Sequence, residues 1–281
     1  MRYLKAEDIQ KALTQAICQI SYESDPKAVE RMRTAHEQSN HELERDVLGA
    51  ILENNELAAI DNIPLCQDTG CTVIIAEMGR ELVIEGATLQ EIADRAAAEA
   101  QGKCPLRASI SYDPLFRRKN SGNNSPAIVH IRQVEGKRLK LKIAQKGGGA
   151  ENMSFLMMLS PATPLEKIKE QIVQRIVESG SRACPPLVVG IGIGGNFERC
   201  ALLAKEALFE ELGRKHPDEH YAALEQEILS MINKCGKGAQ GMGGGLTALA
   251  VHVLHEACHI ASLPIAVNLQ CHAHRHVDIE L

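Results

Sequence analysis

Apolar positions follow a helical period through the first 60 residues of the chain. Within residues 6–20 the period is carried by Ile9, Leu13, Ala16, Ile17 and Ile20. Residues 26–60 are acidic and repeat the same spacing, which gives each helix one apolar face. We therefore predict helices throughout this region, with the charged residues 1–5 beginning the first one.

The pattern then changes to short runs that are typical of strands. Residues 72–76 form a β-branched apolar run and precede a helix predicted at 88–101. Two further runs, 127–131 and 139–143, flank the turn-forming residues 134–137. Two such runs around a short polar turn predict a β-hairpin.

The second half of the chain mixes both periods. It predicts, in order, a helix at 164–180, a strand at 186–191, helices at 197–212, 219–234 and 247–260, and a strand at 264–269. Helices and strands do not alternate as a regular βαβ repeat, which favours a helix-rich α+β fold over a doubly wound sheet. No repeat or linker divides the chain, so we expect one domain over residues 1–281, with binding loops at the ends of elements.

Composition excludes several classes of protein. Hydrophobic residues make up 44% of the chain, but no apolar run is long enough for a membrane span. Four Phe, four Tyr and no Trp provide too few stacking platforms for a nucleic-acid-binding module. The chain does not open like a signal peptide, and nine widely spaced cysteines, an odd count, do not predict a disulfide scaffold. We expect a cytoplasmic protein whose cysteines are mostly small buried residues, with some left for metal binding or nucleophilic chemistry.

One stretch is strongly basic. Between residues 102 and 146, eleven Lys or Arg residues accompany only two acids, although the whole chain has a net charge of −5. Such a run is most often a solvated face. The functional alternative is a surface that attracts anions or an acidic partner.

Two familiar motifs occur in the second half. Residues 255–259 read His-Glu-Ala-Cys-His, the H-E-x-x-H pattern in which two histidines one helical turn apart bind zinc. The extended form of this motif needs a third histidine where the chain has Ile265, which disfavours a zinc peptidase. Residues 190–195 match G-x-G-x-x-G, but no βαβ unit ending in an acidic strand follows. A glycine-rich turn that brings backbone close to a cluster or an anion is the better interpretation.

Three cysteines lie on predicted loops. Cys66 adjoins Gln67 and Asp68, Cys184 precedes two prolines that end a helix, and Cys271 follows the last strand. Three thiolates could form a zinc site, or could hold a [4Fe-4S] cluster whose fourth iron has no protein ligand. Such an iron is a Lewis acid able to bind a substrate hydroxyl or carboxylate.

Three consecutive glycines, 147–149, follow a predicted strand. Their exposed backbone N–H groups suit an anionic ligand, although a flexible turn is an equal alternative.

Together these stretches resemble, over nearly the whole chain, the α subunit of the class I iron–sulfur fumarate hydratases and of the related L(+)-tartrate dehydratases. The segments that carry the resemblance are 66–70, 105–107, 118–124, 147–154, 184–186, 190–195 and 240–244. The resemblance implies reversible hydration of fumarate to L-malate, with dehydration of L(+)-tartrate as the alternative. The Gly-Gly-Gly-Ala-Glu-Asn sequence favours fumarate.

The resemblance also implies roles for individual residues. The implied [4Fe-4S] ligands are Cys66, Cys184 and Cys271. The implied substrate contacts are Gln67, Arg107 and Gly148, and the implied catalytic residues are Asp68 and His259. The family form has Trp after the third cysteine and a second Arg, where this chain has His272 and His276, so the roles of His272, His274 and His276 stay open.

The chemistry of the residues agrees with this assignment. Fumarate is a dianion, and Arg107 can bind one carboxylate through two parallel hydrogen bonds. Adding water to its double bond needs one group that transfers a proton at carbon and a Lewis acid for the hydroxide.

The resemblance finally implies a partner. In this family a β portion supplies further Arg and Lys residues and a catalytic Thr, and we expect no such domain in this chain, where ten residues follow Cys271. We predict a heteromer of α and β subunits, arranged as a dimer of αβ units, that is active only when both are present. A non-catalytic zinc or iron–sulfur subunit is the alternative from a different class.

Overall fold

A computed structural model describes residues 1–281 as ten strands and eight α-helices. The strands are β1 (Arg2–Lys5), β2 (Cys71–Gly79), β3 (Leu82–Glu85), β4 (Ile128–Val134), β5 (Leu139–Lys146), β6 (Phe155–Leu159), β7 (Leu187–Gly195), β8 (Ala248–Cys258), β9 (Leu263–Gln270) and β10 (His276–Glu280). The helices are α1 (Ala6–Tyr22), α2 (Pro26–Gln38), α3 (Glu42–Asp61), α4 (Leu89–Lys103), α5 (Gly148–Asn152), α6 (Leu165–Ser179), α7 (Phe197–Glu206) and α8 (Glu219–Asn233). Sheets with both parallel and antiparallel pairs confirm the α+β prediction. None of the helices combines the length and the apolar character needed to cross a membrane.

Contacts within the chain divide it into two compact units. The first unit comprises Met1–Asp25, Asn54–Gly148 and Arg275–Leu281, and the second comprises Pro26–Glu53 and Gly149–His274. Each unit is assembled from separated segments, so no linker marks the division in the sequence. The assignment of residues 1–281 to a single family domain stays a prediction.

In the first unit, α1 and α4 pack on a four-stranded sheet of order β10-β5-β2-β4. The core is formed by alternate residues of the strands, such as Ile74 of β2 and Leu141 of β5, with the apolar face of α1 around Leu13. A disulfide joins Cys18 of α1 to Cys104, which follows α4, with 6.3 Å between their Cα atoms. The disulfide therefore ties the carboxyl-terminal end of α1 to that of α4.

The predicted β-hairpin between β4 and β5 is wrong. β2 lies between them, and it pairs parallel with β4 and antiparallel with β5. The connecting turn wraps the end of β2, where Gly79 N donates to Arg138 O at 2.9 Å and Arg80 N donates to Val134 O at 2.8 Å. Residues 2–5 are also not helical as predicted, because they form β1 and pair parallel with β3.

In the second unit, helices cover both faces of a four-stranded sheet of order β6-β9-β7-β8. α6 and α8 pack against Val189 and Ile191 of β7, while α2 and the first part of α3 pack against Val188 on the opposite face. Because both faces are buried there, β7 and the first six residues of β8 show no polar alternation. The helix predicted at 247–260 is therefore wrong: an apolar run of this kind fits a buried strand as well as a helix.

The glycine-rich segment 190–195 lies in β7 and is not the ligand-binding turn that we predicted. A Cβ atom at Gly190 would lie 2.1 Å from the carbonyl oxygen of Ala204, and one at Gly192 would lie 2.1 Å from that of Cys200. Both oxygens belong to α7, so the glycines let this helix pack directly on the strand. α7 begins at Asn196, whose side chain accepts from the backbone N–H of Arg199 at 3.0 Å.

Candidate functional site

The loop between α3 and β2 gathers three of the predicted site residues. Cys66 is partly buried and takes part in no disulfide. Its sulfur accepts from the backbone N–H of Asp68 at 3.4 Å and lies 3.3 Å from Oε1 of Gln67. The hydrogen bond from Asp68 fixes the sulfur within the loop.

Asp68 joins this loop to the glycine segment that follows β5. Its Oδ1 atom accepts from Gly70 N at 3.0 Å, and its Oδ2 atom accepts from Gly148 N at 2.7 Å. Gly70 has φ +76°, and a Cβ atom there would lie 2.3 Å from the carbonyl oxygen of Lys146, so only glycine fits. Two residues predicted from separate motifs, Asp68 and Gly148, are therefore in direct contact, and the glycine N–H is presented to a carboxylate.

Arg275 is a member of this group that the sequence did not reveal. Only 2% of the residue is exposed. Its Nη2 atom donates to the backbone oxygen of Asp68 at 2.8 Å, whereas its buried Nε atom has no hydrogen-bond partner. Burying a guanidinium is costly unless anions or acceptors surround it, so its position beside Asp68 marks a site for negative charge. Its place four residues after Cys271 is the one signal in the sequence that could have identified it.

Arg107 is exposed, and its backbone is fixed to the same loop. Its carbonyl oxygen accepts from Oγ1 of Thr69 at 2.8 Å and from Nδ2 of Asn124 at 3.0 Å. The guanidinium forms no ion pair within the protein. It is thus available to an anion.

Half of the other ten cations in the basic stretch are paired with acids of the first unit, Arg132 with Glu77 at 2.5 Å among them. The other ion pairs are Lys103–Glu99 at 2.6 Å, Arg138–Glu280 at 2.8 Å, Lys140–Asp278 at 3.3 Å and Lys137–Glu81 at 3.9 Å. This favours the interpretation of these positions as a solvated face.

In the second unit, Cys184 and Cys271 lie at one end of the sheet. α6 is followed by a short 3-10 turn, and Cys184 then adopts the left-handed conformation with φ 55° and ψ 63°. The backbone N–H of His272 donates to the carbonyl oxygen of Cys184 at 3.2 Å. Both thiols are partly buried and outside any disulfide. A non-glycine residue in this conformation is uncommon, and such residues cluster at functional sites.

Three histidines, His272, His274 and His276, follow Cys271 in the chain. The backbone N–H of His274 donates to the carbonyl oxygen of Cys271 at 3.0 Å. In the first unit, Nε2 of His276 lies 3.9 Å from a carboxylate oxygen of Asp25. The main chain of His272 and His274 thus closes the loop around Cys271.

His259 lies at the other end of the second unit's sheet. It follows β8 in an exposed turn, where its Nδ1 accepts from Ala261 N at 3.1 Å. The strand register places Gln270 beside Val188 and Cys258 beside Gly195, which separates the two ends by roughly 20 Å. The structure therefore does not bring His259 together with Cys184 and Cys271, and its catalytic role stays a prediction.

The H-E-x-x-H motif has structural uses in this fold. It lies on a strand, where residues four apart are separated by roughly 13 Å and cannot share one zinc ion. The His255 ring stacks on Tyr221 with 4.1 Å between centroids, and Glu256 accepts from Nε of Arg199 at 2.8 Å.

The other cysteines follow the expectation of burial only in part. Cys200 is buried, and desolvation raises the pKa of its thiol. Cys258 is exposed, however, and Cys18 and Cys104 form the disulfide, so burial as a free thiol is wrong for these three.

Two cavities of about 550 and 570 Å³ lie in the second unit and share Arg31 in their walls. None of the predicted site residues lines either cavity.

The comparisons of this chain with known proteins agree with one another. The family described as "Fumarate hydratase (Fumerase)" matches residues 10–280 of the chain. A Methanocaldococcus jannaschii protein named "Putative L(+)-tartrate dehydratase subunit alpha" is 38% identical over 251 residues, which are 87% of each chain. The L(+)-tartrate dehydratase subunit alpha of Escherichia coli K12 is 28% identical over 258 residues, which are 91% of this chain and 85% of the relative.

Proposed function

The chain belongs to the fumarate hydratase (Fumerase) family, a family of hydro-lyases, and we propose that it is the α subunit of an iron–sulfur hydro-lyase that hydrates fumarate to L-malate and reverses the reaction. The observation that supports this best is the contact of Asp68 with Gly148 beside Cys66 and Arg275. This contact brings together a carboxylate, a thiol, a buried cation and a backbone N–H that donates to an anionic oxygen.

Dehydration of L(+)-tartrate is the second candidate. It is favoured by the names of the relatives from M. jannaschii and E. coli. Fumarate and tartrate are both four-carbon dicarboxylates, so the same cationic and N–H groups would bind either of them.

We propose that Cys66, Cys184 and Cys271 hold a [4Fe-4S] cluster, because thiolates are the ligands of such clusters. All three thiols are partly buried on loops and outside disulfides. Cys66 already accepts a backbone N–H, and the loops of Cys184 and Cys271 are hydrogen-bonded to each other. When bound, the cluster would supply an iron without a protein ligand, which acts as a Lewis acid toward a substrate oxygen.

The chain's own residues bind the substrate and transfer the proton. The exposed Arg107 guanidinium binds one carboxylate bidentately, and the Gln67 amide donates to a substrate oxygen. The Gly148 N–H binds a carboxylate oxygen, as it now binds that of Asp68. Asp68 exchanges a proton with the substrate as acid or base. His259 takes no step in this scheme because of its distance from Cys271 within the second unit.

Arg275 acts as a positioning residue. It holds the main chain of Asp68 through Nη2, and a Cβ atom at Gly147 would lie 3.7 Å from the same nitrogen. It thereby fixes the Asp68 carboxylate relative to the glycine segment. Placement of this kind is worth large factors in rate, since small displacements of a catalytic group are costly.

A β subunit completes the enzyme. The relatives are named as α subunits. Around the loop of Cys66, Arg107 is the exposed cation available to a dianion, which would leave the second carboxylate without a charged partner. We infer that the β subunit supplies the missing cations.

The proposal is tested by assaying fumarate hydration with anaerobically purified chain, alone and with its β subunit. We expect turnover by the complex, none by the chain alone, and a loss of at least about hundredfold for Asp68→Asn at unchanged iron content. Asp61→Asn, at the exposed end of α3, is the matched control and should stay fully active. Robust hydration by the chain without its partner, or full activity of Asp68→Asn, would overturn the proposal. The same assay with L(+)-tartrate decides between the two substrates.

A further inference from the structure

A turn of the first unit exposes an unusual group of large apolar residues. Phe116 is 87% exposed, Leu115 is 72% exposed and Tyr112 is 59% exposed. Single exposed apolar residues are common, but three within five positions form a patch. The chain has only eight Phe and Tyr residues, so this turn exposes a quarter of them. We call residues 112–119 the tip.

The tip is held in one conformation by its own side chains. Oδ1 of Asp113 accepts from Leu115 N at 3.1 Å and from Phe116 N at 3.0 Å, and Oδ2 accepts from Arg117 N at 2.9 Å. Ser111 and Asn120 form an antiparallel bridge at its base. The three N–H groups hold the pKa of Asp113 below its usual value, so its carboxylate is ionised at neutral pH. A turn fixed before binding loses little conformational entropy when a partner docks.

Cations adjoin the apolar residues of the tip. Arg117, Arg118 and Lys119 follow Phe116 directly. Arg117 and Lys119 form no ion pair, in contrast to Arg138 and Lys140, which are paired with Glu280 and Asp278. Arg118 donates to the carbonyl oxygen of Pro114 at 2.7 Å and lies near Asp113. The surface that complements the tip is therefore apolar at its centre and acidic at its rim.

The tip is anchored beside the proposed substrate residue. Asn120 Nδ2 donates to the carbonyl oxygen of Ala108 at 2.9 Å, and Ser121 N donates to that of Ile110 at 2.8 Å. These bonds tie the tip to the segment that begins at Arg107, which is itself held by Thr69. A protein that brings further cations to a substrate at Arg107 must approach the chain next to the tip.

We propose that the tip is a docking surface for the β subunit, which receives Leu115 and Phe116 in an apolar pocket rimmed by carboxylates. This inference rests on the proposed function, because it takes the partner from the assembly proposed there. Exposed, pre-ordered aromatic residues beside arginine are the type of residue that carries most of the binding energy in protein interfaces.

The test is calorimetric titration of the full-length chain with its purified β subunit. For Leu115→Ser/Phe116→Ser we expect Kd to rise at least about hundredfold, with the melting temperature and the iron content unchanged. Ile260→Ser, which alters a residue 92% exposed in the second unit, is the matched control and should bind like the wild type. Arg117→Glu/Lys119→Glu should slow association and reduce its dependence on salt.

Wild-type affinity in both tip variants would overturn the inference. So would a dimer of the chain alone that the tip variants dissociate, because the tip would then join two copies of this chain. The outcomes separate the two proposals. Weaker binding by the tip variants in a complex without hydro-lyase activity would refute the proposed function and keep the docking surface. Full hydro-lyase activity together with unaffected binding by the tip variants would keep the proposed function and refute the docking surface.

Discussion

Two glycine-rich segments of this protein look alike in sequence but have different neighbours. At Gly190 and Gly192, the space for a Cβ atom is filled by backbone oxygens of α7 at 2.1 Å. At Gly148 the nearest atom to a Cβ would be Oδ2 of Asp68, at 3.7 Å. Glycine runs therefore mark close approach of backbone to some group. Only the fold decides whether that group is a packed helix or a functional side chain.

The largest loss of stability is expected at residues 190–195, which we call the packed segment. Gly192→Ala would place a methyl group 2.1 Å from the carbonyl oxygen of Cys200 and 2.5 Å from the backbone nitrogen of Ala204, neither of which can rotate away. We expect the free energy of unfolding to fall by about 3 kcal/mol or more, measured by urea denaturation. Gly245→Ala adds the same group in open space and should change it by less than about 0.5 kcal/mol. Equal stability of both variants would refute the packing role.

The next effect tests what holds residues 147–149, which we call the open segment, in place. Lys in place of Arg275 keeps the charge but loses the planar fork of the guanidinium. For Arg275→Lys we expect kcat of the complex with the β subunit to fall at least about tenfold, with little change in KM, because Asp68 acts mainly in the transition state. For Arg275→Met we expect a larger fall in kcat. Arg95→Lys, on the exposed surface of α4, is the control. A change in KM alone would assign Arg275 to substrate binding instead.

Gly148→Ala tests the open segment itself and should cost less. The added methyl group has room, so we expect the free energy of unfolding to change by less than about 0.5 kcal/mol. It would nevertheless lie beside the Asp68 carboxylate and crowd an incoming substrate, so kcat/KM should fall by about tenfold. Steady-state kinetics and urea denaturation together check this separation of activity from stability. Wild-type kinetics would show that substrate does not approach Gly148.

The smallest effect is a pH dependence beside the packed segment. Oε1 of Glu225 accepts from Val253 N at 2.8 Å on β8, the strand paired with β7 at Gly192. Burial raises the pKa of Glu225 above its ordinary value of 4.5. The folded state then binds the proton more tightly than the unfolded state, so stability falls as the pH rises from 4.5 through the raised pKa.

Glu225→Gln keeps an acceptor at this position and removes the ionisation. Its free energy of unfolding relative to the wild type should rise over the same pH range, by about 1.4 kcal/mol for each unit of pKa shift. Urea denaturation at several pH values measures this difference. If the free energies of unfolding of the two proteins changed in parallel with pH, ionisation of Glu225 would not be the cause.

Local signals in the sequence located most of the helices. Those predicted at 88–101 and 219–234 agree with α4 and α8 within two residues. Their first turns are capped by Thr88 and Asp218, which are local features of the chain. The errors arise where distant residues decide. β2 separates β4 from β5, and burial of the first six residues of β8 on both faces makes this strand resemble a helix in sequence.

The candidate site was predictable only as far as its residues lie in motifs. Family resemblance named Asp68 and Gly148, which the structure shows in contact. Arg275 was missed because its burial and its bond to Asp68 depend on a segment more than 200 positions away. For His259 the motif gave a position in the chain, whereas the strand register determines its distance from Cys271.

The central claim, that three cysteines of this chain hold an iron–sulfur cluster, is tested most directly by iron and acid-labile sulfide analysis of anaerobically purified protein. We expect about four iron and four sulfide per chain, lost in Cys184→Ser and kept in Cys200→Ser, which alters a buried cysteine of α7. One equivalent of zinc in place of iron, or the same metal content in both variants, would contradict it.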